Sequence, residues 1–225
     1  MLAAGSQERR TIIASILDNY ILKDIKGLLE LATDRNLLLL AQYLATHAGR
    51  LVTYQNLGQA CGLNYRSLKK HMQVLSETYV TREVRPFFRN RQKELSKNPK
   101  IFFIDLGFRN SLMENMSSFE NRPDLGAIVE NAAWIRLTDI LEDAGKINFW
   151  RTKAGAEVDF VIEREGKIIP VEVKFSSFLE TKTPRSFMSF VDSFHPEKGL
   201  MLTKDFWGMT KKNDCQILFA PACYL

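Results

Sequence analysis

The feature that most constrains this chain is a run of alternating side chains over residues 157–175, which can turn back on itself at Glu165-Gly166. Two β-type runs flank this dipeptide, a candidate two-residue hairpin turn. If Arg164 pairs with Lys167, one face of the hairpin is wholly apolar. Its facing pairs are Val158 with Val173, Phe160 with Val171, and Ile162 with Ile169. Because a slip of one residue would expose that apolar face, the sequence predicts this register.

The opposite face of the hairpin is charged. In the same register Asp159 faces Glu172, and Glu157 faces Lys174. Like charges placed directly opposite destabilise a strand pair, and a divalent cation between the two acids would explain their pairing. Lys174 could then orient or activate a water, or stabilise charge on a phosphate. The alternative is an exposed hairpin face dotted with charges, but the nearly apolar run from Ile168 indicates a central strand, where charges are rarely buried without a partner.

A helix predicted over residues 126–144 adds a third acid. Helical spacing places four residues on one stripe: Glu130, Trp134, Leu137 and Leu141. Glu130 therefore leans inward, although an acid near a helix N-terminus is also favoured by the helix dipole alone. In the extended segment 148–153, Arg151 could meet a phosphate or could be a surface strand residue. A helix over 185–194 and strands over 199–203 and 216–219 complete the predicted core of helix, three strands, helix and strand.

The N-terminal half is mainly helical by its apolar spacing. Helices are predicted over residues 11–29 and 37–48, the second ended by Gly49. After the extended pair Leu51-Val52, Thr53 is a plausible N-cap. The short helix that comes next is expected to turn Leu57 and Ala60 inward and to end at Gly62.

A further helix, capped by Asn64 and running to about Ser76, has one apolar and one polar face. The inward residues are predicted to be Leu68, Met72 and Leu75. The outward residues are predicted to be Tyr65, Arg66, Lys69, Lys70 and Gln73. Two helices joined by a glycine turn, the second basic outside, indicate a helix-turn-helix. Strands over 80–86 and 101–105, separated by a basic stretch at 88–93, indicate a wing.

The positive charge is concentrated in one segment. Residues 62–100 contain ten bases and three acids, a net charge of +7, whereas the whole chain carries +5. Such a segment favours a polyanionic partner, and DNA is the expected one. The predicted DNA-contacting residues are the outward set just named together with Arg89, Arg91, Lys93 and Arg151. A solvated surface, or a winged helix that contacts only protein, stays open.

Several classes of protein are not expected. The chain has no apolar run long enough to cross a membrane and no apolar signal core. Its three cysteines, Cys61, Cys215 and Cys223, include no C-x-x-C pair, so the expected compartment is a reducing cytoplasm. The three histidines lie far apart in the sequence, so a histidine-based metal site is not expected.

The residues of the charged face resemble the PD-(D/E)xK nuclease superfamily. Asp159, twelve intervening residues, Glu172-Val173-Lys174, and Glu130 on a preceding helix reproduce its pattern, although Val158 stands where the family has proline. The resemblance implies a restriction-endonuclease-like αβββαβ core. It implies that Asp159, Glu172 and Glu130 bind Mg²⁺ or Mn²⁺ and that Lys174 is catalytic.

A second resemblance covers nearly the whole chain. Several segments resemble the C-terminal region of archaeal and bacterial AAA-type ATPases: residues 20–25, 88–90, 104–107, 126–131, 149–152 and 155–160. It implies a winged helix followed by a nuclease-like fold, in a mixed α/β chain. The polar segment 115–124, which contains Pro123, is the predicted linker between a winged-helix domain over residues 1–114 and a nuclease-like domain over 125–225. No G-x-x-x-x-G-K-[ST] motif occurs, so ATP hydrolysis is not assigned to these residues.

These patterns predict a DNA-acting protein that couples winged-helix binding to metal-dependent phosphodiester hydrolysis. Two alternatives stay open, because a fold and a motif do not guarantee activity. One is a non-cleaving module that binds DNA or protein. The other is a regulatory portion of an AAA-type ATPase, whose P-loop domain would act in cis or in trans. The sequence does not indicate an oligomeric state.

Overall fold

The computed structural model describes residues 8, 11–13, 15–16, 34–88 and 97–225. The chain forms two compact units. The helical unit comprises Met1–Glu83 and Asn98–Arg122, and the sheet unit comprises Val84–Lys97 and Pro123–Leu225. The predicted mixed α/β class is therefore confirmed at the level of helices and sheets. Among the described residues, no helix is long and apolar enough to cross a membrane.

The helical unit has the following described elements: α1 (Asp34–Thr46), α2 (Tyr54–Cys61), α3 (Tyr65–Glu77), β1 (Thr81–Val84), β2 (Lys100–Phe103) and α4 (Leu106–Leu112), with a 3₁₀ turn at Phe119–Asn121. The two strands pair with each other. Residues 11–13 and 15–16 are helical. The rest of the helix predicted over 11–29, and most of the basic stretch at 88–93, lie outside the described residues.

The predicted caps around α2 and α3 are confirmed. The Thr53 side chain accepts a hydrogen bond from the backbone N–H of Asn56, and Asn64 accepts one from Ser67. Gly62 ends α2 with φ 64°, a left-handed conformation that favours glycine. The two capping side chains satisfy N–H groups that a helix start leaves without intrahelical partners.

One inward residue of α2 was predicted wrongly. Ala60 is exposed, and Cys61 is buried in its place beside Leu57. Leu57 and Cys61 are four residues apart, so they lie above one another on the same side of the helix. On α3 the prediction is confirmed, because Leu68, Met72 and Leu75 are all buried.

The sheet unit contains two helices and six strands within the described residues. Its elements are α5 (Leu125–Leu141), β3 (Lys146–Arg151), β4 (Glu157–Arg164), β5 (Lys167–Val173), α6 (Arg185–Phe194), β6 (Lys198–Thr203), β7 (Gly208–Lys212) and β8 (Cys215–Pro221), with a 3₁₀ turn at Ala222–Tyr224. The strand order is β3-β4-β5-β6-β8-β7. β5 and β6, and β6 and β8, are parallel, whereas the other neighbours are antiparallel.

The hairpin register predicted from the sequence is confirmed. Arg164 pairs with Lys167, Ile162 with Ile169 and Phe160 with Val171. The helix predicted over 185–194 has those bounds in the structure. β7 was not predicted, because this edge strand is mostly exposed and its Lys211-Lys212 end carries no apolar alternation.

α6 covers one face of the sheet with aromatic side chains. Phe187, Phe190 and Val191 are fully buried in a cluster with residues of β4, β6 and β8. Phe160 and Val171 are also buried but lie outside that cluster. Because side chains of neighbouring strand positions point to opposite faces, the central strands are covered on both sides.

A segment before β2 belongs to the sheet unit. The Phe87 backbone N–H donates a hydrogen bond to the Phe149 carbonyl, and the Phe87 ring lies edge-on to Phe194 with centroids 5.1 Å apart. The Asn148 side chain also donates to the Arg85 carbonyl. The sequence predicted a first domain over residues 1–114, whereas residues 84–97 group with the C-terminal unit because of such contacts.

Candidate active site

Glu172 occupies the second-last position of β5, an interior strand between β4 and β6. The residue is 3% exposed, and its parallel neighbour on β6 is Met201. Burial of an ionisable side chain is costly unless a partner compensates it. Glu172 is therefore the most unusual residue of the sheet and the centre of the candidate site.

Asp159 approaches Glu172 from β4. Backbone pairing of β4 with β5 extends as far as Phe160 and Val171, so the next pair on this register is Asp159 and Glu172. The Asp159 Oδ2 atom accepts a hydrogen bond of 2.8 Å from the Val173 backbone N–H. This bond holds the Asp159 carboxylate at the open end of the β4–β5 hairpin, beside the buried Glu172.

A β-bulge interrupts the regular pairing of β3 with β4 at Asp159. Asn148 pairs with Val161 and Trp150 with Val158, so two residues of β4, Asp159 and Phe160, face one residue of β3. Such bulges are frequent beside active sites, where they redirect a side chain. The sequence does not signal this bulge, because every residue around it is compatible with a regular strand.

The bulge corrects two sequence predictions. Val158 was expected on the face of Phe160, but it packs in the cluster that contains Val161, because the extra residue reverses the alternation. Glu157 was expected opposite Lys174, but it forms an ion pair of 2.7 Å with Arg151 across β3 and β4. Arg151, a predicted phosphate contact, therefore already has an acidic partner.

Lys174 comes directly after β5. Its Nζ atom lies 2.7 Å from Glu172 Oε1, and its side chain is 46% exposed. Its backbone N–H donates to the Leu202 carbonyl of β6, which holds the chain in place. The ammonium group of this lysine thus contacts the buried acid, while the side chain remains accessible from solvent.

Glu130 of α5 completes the predicted set. Burial lowers the pKa of Lys174, but the carboxylates of Glu172, Asp159 and Glu130 raise it, and the net shift is upward. The structure therefore brings together all four residues that the sequence singled out, within electrostatic range of one ammonium group.

Burial, and secondly the nearby Asp159 carboxylate, raise the pKa of Glu172 to about 7 from its ordinary 4.5. The Lys174 ammonium opposes this shift without cancelling it. Among the described residues, the buried Glu172 Oε2 atom has no hydrogen-bond partner. A buried carboxylate with one unsatisfied oxygen is destabilising by itself, and a cation bound at this oxygen would offset that cost.

Two carboxylates fit a magnesium-type cation. Mg²⁺ is commonly held by one or two carboxylates, with waters and substrate phosphate as its other ligands. Asp159 and Glu172, with its unsatisfied Oε2 atom, match that requirement. In the described part of the chain, no group of three or more His, Cys, Asp or Glu side chains is placed to hold a metal ion, so waters or phosphate would have to supply the remaining ligands.

The predicted DNA-contacting residues of α3 are exposed in the helical unit. They are Tyr65, Arg66, Lys69, Lys70 and Gln73. The Lys69 ammonium lies over the Tyr65 ring at 5.1 Å from its centroid. Tyr54, which the sequence prediction omitted, contacts Tyr65 edge-on with centroids 5.6 Å apart, and no sequence pattern indicated that approach. The remaining predicted DNA contacts in this half, Arg89, Arg91 and Lys93, lie outside the described residues.

Two family models match this chain. One, described as a domain of unknown function (DUF8612), matches residues 1–119. The other, described as a domain of unknown function (DUF4143), matches residues 125–220. The two matches meet close to the boundary between Arg122 and Pro123 that separates the units.

Curated relatives include uncharacterized proteins of Mycobacterium bovis and Mycobacterium tuberculosis. Each is 27% identical over 136 residues, which cover 60% of this chain and 31% of the relative. The matched part thus spans about a third of the length of these relatives. The crystal structure of protein VC1899 from Vibrio cholerae aligns over 88% of this chain and 46% of its own, at 12% identity and a TM-score of 0.23, a likeness too low to carry an argument.

Proposed function

This chain belongs to DUF8612, a family defined by a domain of unknown function, and from its own site we propose that it is a DNA-acting protein that hydrolyses phosphodiesters with Mg²⁺ or Mn²⁺. The observation that carries the proposal is the buried Glu172, which has an unsatisfied oxygen and lies beside Asp159. A protein gains nothing in stability from two adjacent acids at the end of a central strand. A cation between them supplies the reason for their presence.

Each residue of the site has a proposed role. Asp159 and Glu172 would hold the metal ion, and Glu130 would assist them from α5. When bound, the ion would polarise the phosphodiester and make a water molecule more acidic. Lys174, held by Glu172 and open to solvent, would orient the attacking water or stabilise charge on the phosphate.

The order of elements supports a nuclease-like core. The sheet unit contains α5, β3, β4, β5, α6 and β6 in that sequence, which is the αβββαβ order of the PD-(D/E)xK resemblance. The two acids and the lysine lie on β4 and at the end of β5, as that pattern requires. β8 and the edge strand β7 extend the sheet beyond this core.

DNA binding is proposed for the helical unit as a winged helix. α2 and α3 are joined by the turn at Gly62, and α3 exposes the three bases Arg66, Lys69 and Lys70. Such a helix is suited to lie in a groove of DNA, while the paired strands β1 and β2 would belong to the wing.

The test is cleavage of single-stranded and duplex DNA by the purified chain with Mg²⁺ or Mn²⁺. We expect metal-dependent products, and a loss of rate of about a hundredfold or more in Asp159→Asn and in Lys174→Ala. The asparagine side chain keeps an oxygen that can accept from the Val173 N–H, so the first substitution removes charge while preserving the fold. Lys167→Ala, at an ion pair elsewhere on the same hairpin, is a matched control and should cleave at the parental rate.

Absence of cleavage with either metal, while all variants remain folded, would contradict the hydrolytic proposal for this chain. Equal activity in Asp159→Asn and the parent would also contradict it, and would indicate a contaminating nuclease.

A second function is favoured by one observation. The matched region spans only 31% of the mycobacterial relatives, so a region of this kind occurs within longer proteins. As the alternative, this chain is a non-catalytic DNA- or protein-binding regulatory portion of an AAA-type ATPase, with a P-loop domain as its partner in cis or in trans. DNA binding without cleavage, unaffected by Asp159→Asn, would favour this alternative.

A further inference from the structure

A shallow cavity with aromatic walls, widely open to solvent, lies on the helical unit at the turn between α2 and α3. It has a volume of about 380 Å³. Its lining residues are Tyr54, Gln55, Gly58, Gln59, Leu63 and Tyr65. All six belong to the helical unit, and none is assigned a role in metal binding or hydrolysis. The walls combine two aromatic rings with two side-chain amides.

The two rings form one corner of the cavity. Tyr54 and Tyr65 meet edge-to-face, with centroids 5.6 Å apart and planes at 70°. The Tyr54 hydroxyl donates a hydrogen bond of 3.3 Å to Glu83 Oε1, which holds that ring in place. Tyr65 is 60% exposed. The exposed part of this aromatic ring offers a flat surface on which another flat group can stack.

A cation accompanies the exposed ring. The Lys69 ammonium lies 5.1 Å from the Tyr65 centroid. Arg66, which follows Tyr65 on α3, is also exposed. A ligand that stacks on Tyr65 would therefore have its neighbouring anionic group within reach of the Lys69 ammonium group. Stacking surface, amide hydrogen-bonding groups and cations together match a nucleobase attached to a phosphate backbone.

We propose that this cavity binds an unpaired nucleobase of single-stranded DNA, with Tyr65 as the stacking platform and Lys69 as the phosphate contact. The inference rests on the DNA binding of the proposed function and names the DNA form that it selects. In a duplex the base faces are covered by the neighbouring base pairs, so a tyrosine ring can meet only a base that has left the stack. The Gln55 and Gln59 amides can meet the polar edge of such a base.

The experiment measures fluorescence anisotropy of a labelled oligothymidine about 12 nucleotides long, and of a duplex of equal length, with the full chain and no divalent metal. We expect the single strand to bind more tightly, and Tyr65→Ala to weaken it about fivefold to a hundredfold. Tyr65→Phe should retain most of the affinity, because stacking needs the ring and not the hydroxyl. Tyr65→Ala should weaken duplex binding less than single-strand binding, because only an unpaired base can stack on the ring.

The chain offers a matched control in Tyr79, which is 67% exposed and has the Arg82 guanidinium at 5.1 Å from its ring. This tyrosine has the same pairing of ring and cation but does not line the cavity, so Tyr79→Ala should bind like the parent. A third arm offers free thymidine monophosphate as competitor, which should displace the strand only at far higher concentration than the strand itself requires.

Different results overturn different claims. If the chain binds neither DNA form, both this inference and the DNA-binding part of the proposed function fail. If single-stranded DNA binds but Tyr65→Ala and Tyr79→Ala both match the parent, the cavity is not the binding site. The inference then fails and the proposed function stands. The inference would also fail if Tyr65→Ala lost equal affinity for the single strand and the duplex. It would fail as well if the mononucleotide bound as tightly as the strand.

Discussion

At the scale of single residues, burial changes the acid–base behaviour of Glu172. The side chain occupies a buried position of an interior strand. Lys174 contacts one of its oxygens at 2.7 Å, whereas Asp159 repels its charge. The balance of these interactions makes ionisation of Glu172 less favourable than that of an ordinary glutamate, and a bound cation would relieve this cost.

The raised pKa of Glu172 predicts a dependence of stability on pH. The folded protein keeps the Glu172 proton up to about pH 7, whereas the unfolded chain releases it near 4.5. Because the folded state then binds more protons, the free energy of unfolding falls as pH rises between these values. We expect Glu172→Gln in the presence of a chelator to be more stable than the parent above about pH 7, by up to about 3 kcal/mol, and similar to it below the window.

Urea unfolding across the pH range measures this difference. Glu165→Gln, which makes the same chemical change at the exposed hairpin turn, is the control and should track the parent at every pH. A difference between Glu172→Gln and the parent that does not vary with pH would contradict the prediction.

At the scale of elements, the approach of α2 to α3 depends on one small residue. A Cβ atom on Gly58 would lie 2.7 Å from the Leu63 carbonyl oxygen, closer than such atoms come in proteins. Gly58 also lines the aromatic cavity. Glycine costs a helix stability relative to alanine, so its presence inside α2 is explained by this backbone contact.

Replacing each of two helix glycines with alanine should change the free energy of unfolding in opposite directions. Gly126, in the first turn of α5, has nothing within 4 Å of its ideal Cβ position, so Gly126→Ala should raise the free energy of unfolding by about 0.5–1 kcal/mol. Gly58→Ala should lower it by about 1–3 kcal/mol, because the overpacking outweighs the gain in helix propensity. Circular dichroism during urea unfolding measures both, and a stabilised Gly58→Ala variant would show that the turn relaxes without cost.

At the scale of the whole molecule, the sheet unit is assembled from two separate stretches of the chain, Val84–Lys97 and Pro123–Leu225. Phe87 anchors the first of them, since it is buried in the α6 cluster and its ring contacts Phe190 and Phe194. The three tryptophans all belong to this unit, so their fluorescence reports its unfolding specifically. They are Trp134, Trp150 and Trp207.

Phe87→Ala should destabilise the sheet unit by about 3 kcal/mol or more, because it removes a buried ring and leaves a cavity. The measurement is the urea midpoint detected by tryptophan fluorescence. Phe88→Ala provides the comparison. Phe88 is only half-buried, so its substitution should lower the free energy of unfolding clearly less. Equal losses of stability in the two variants would show that residues 84–88 do not depend on Phe87 for their attachment to the sheet unit.

The sequence by itself determined the features that depend on local geometry. The hairpin register and the proximity of Asp159 to Glu172 depend on strand alternation. The caps Thr53 and Asn64 depend on side chains that contact backbone three residues away. The helix over 185–194 was likewise predictable from its periodic apolar face.

Only the tertiary structure decided the bulge at Asp159, the pairing of Glu157 with Arg151, the added edge strand β7 and the grouping of residues 84–97 with the sheet unit. It also decided how deeply Glu172 is buried. These features arise where segments distant in the chain meet, and a sequence pattern describes only the preference of each segment alone. The candidate chemistry was therefore visible as a residue pattern, whereas its electrostatic character depends on which strands and helices exclude water from it.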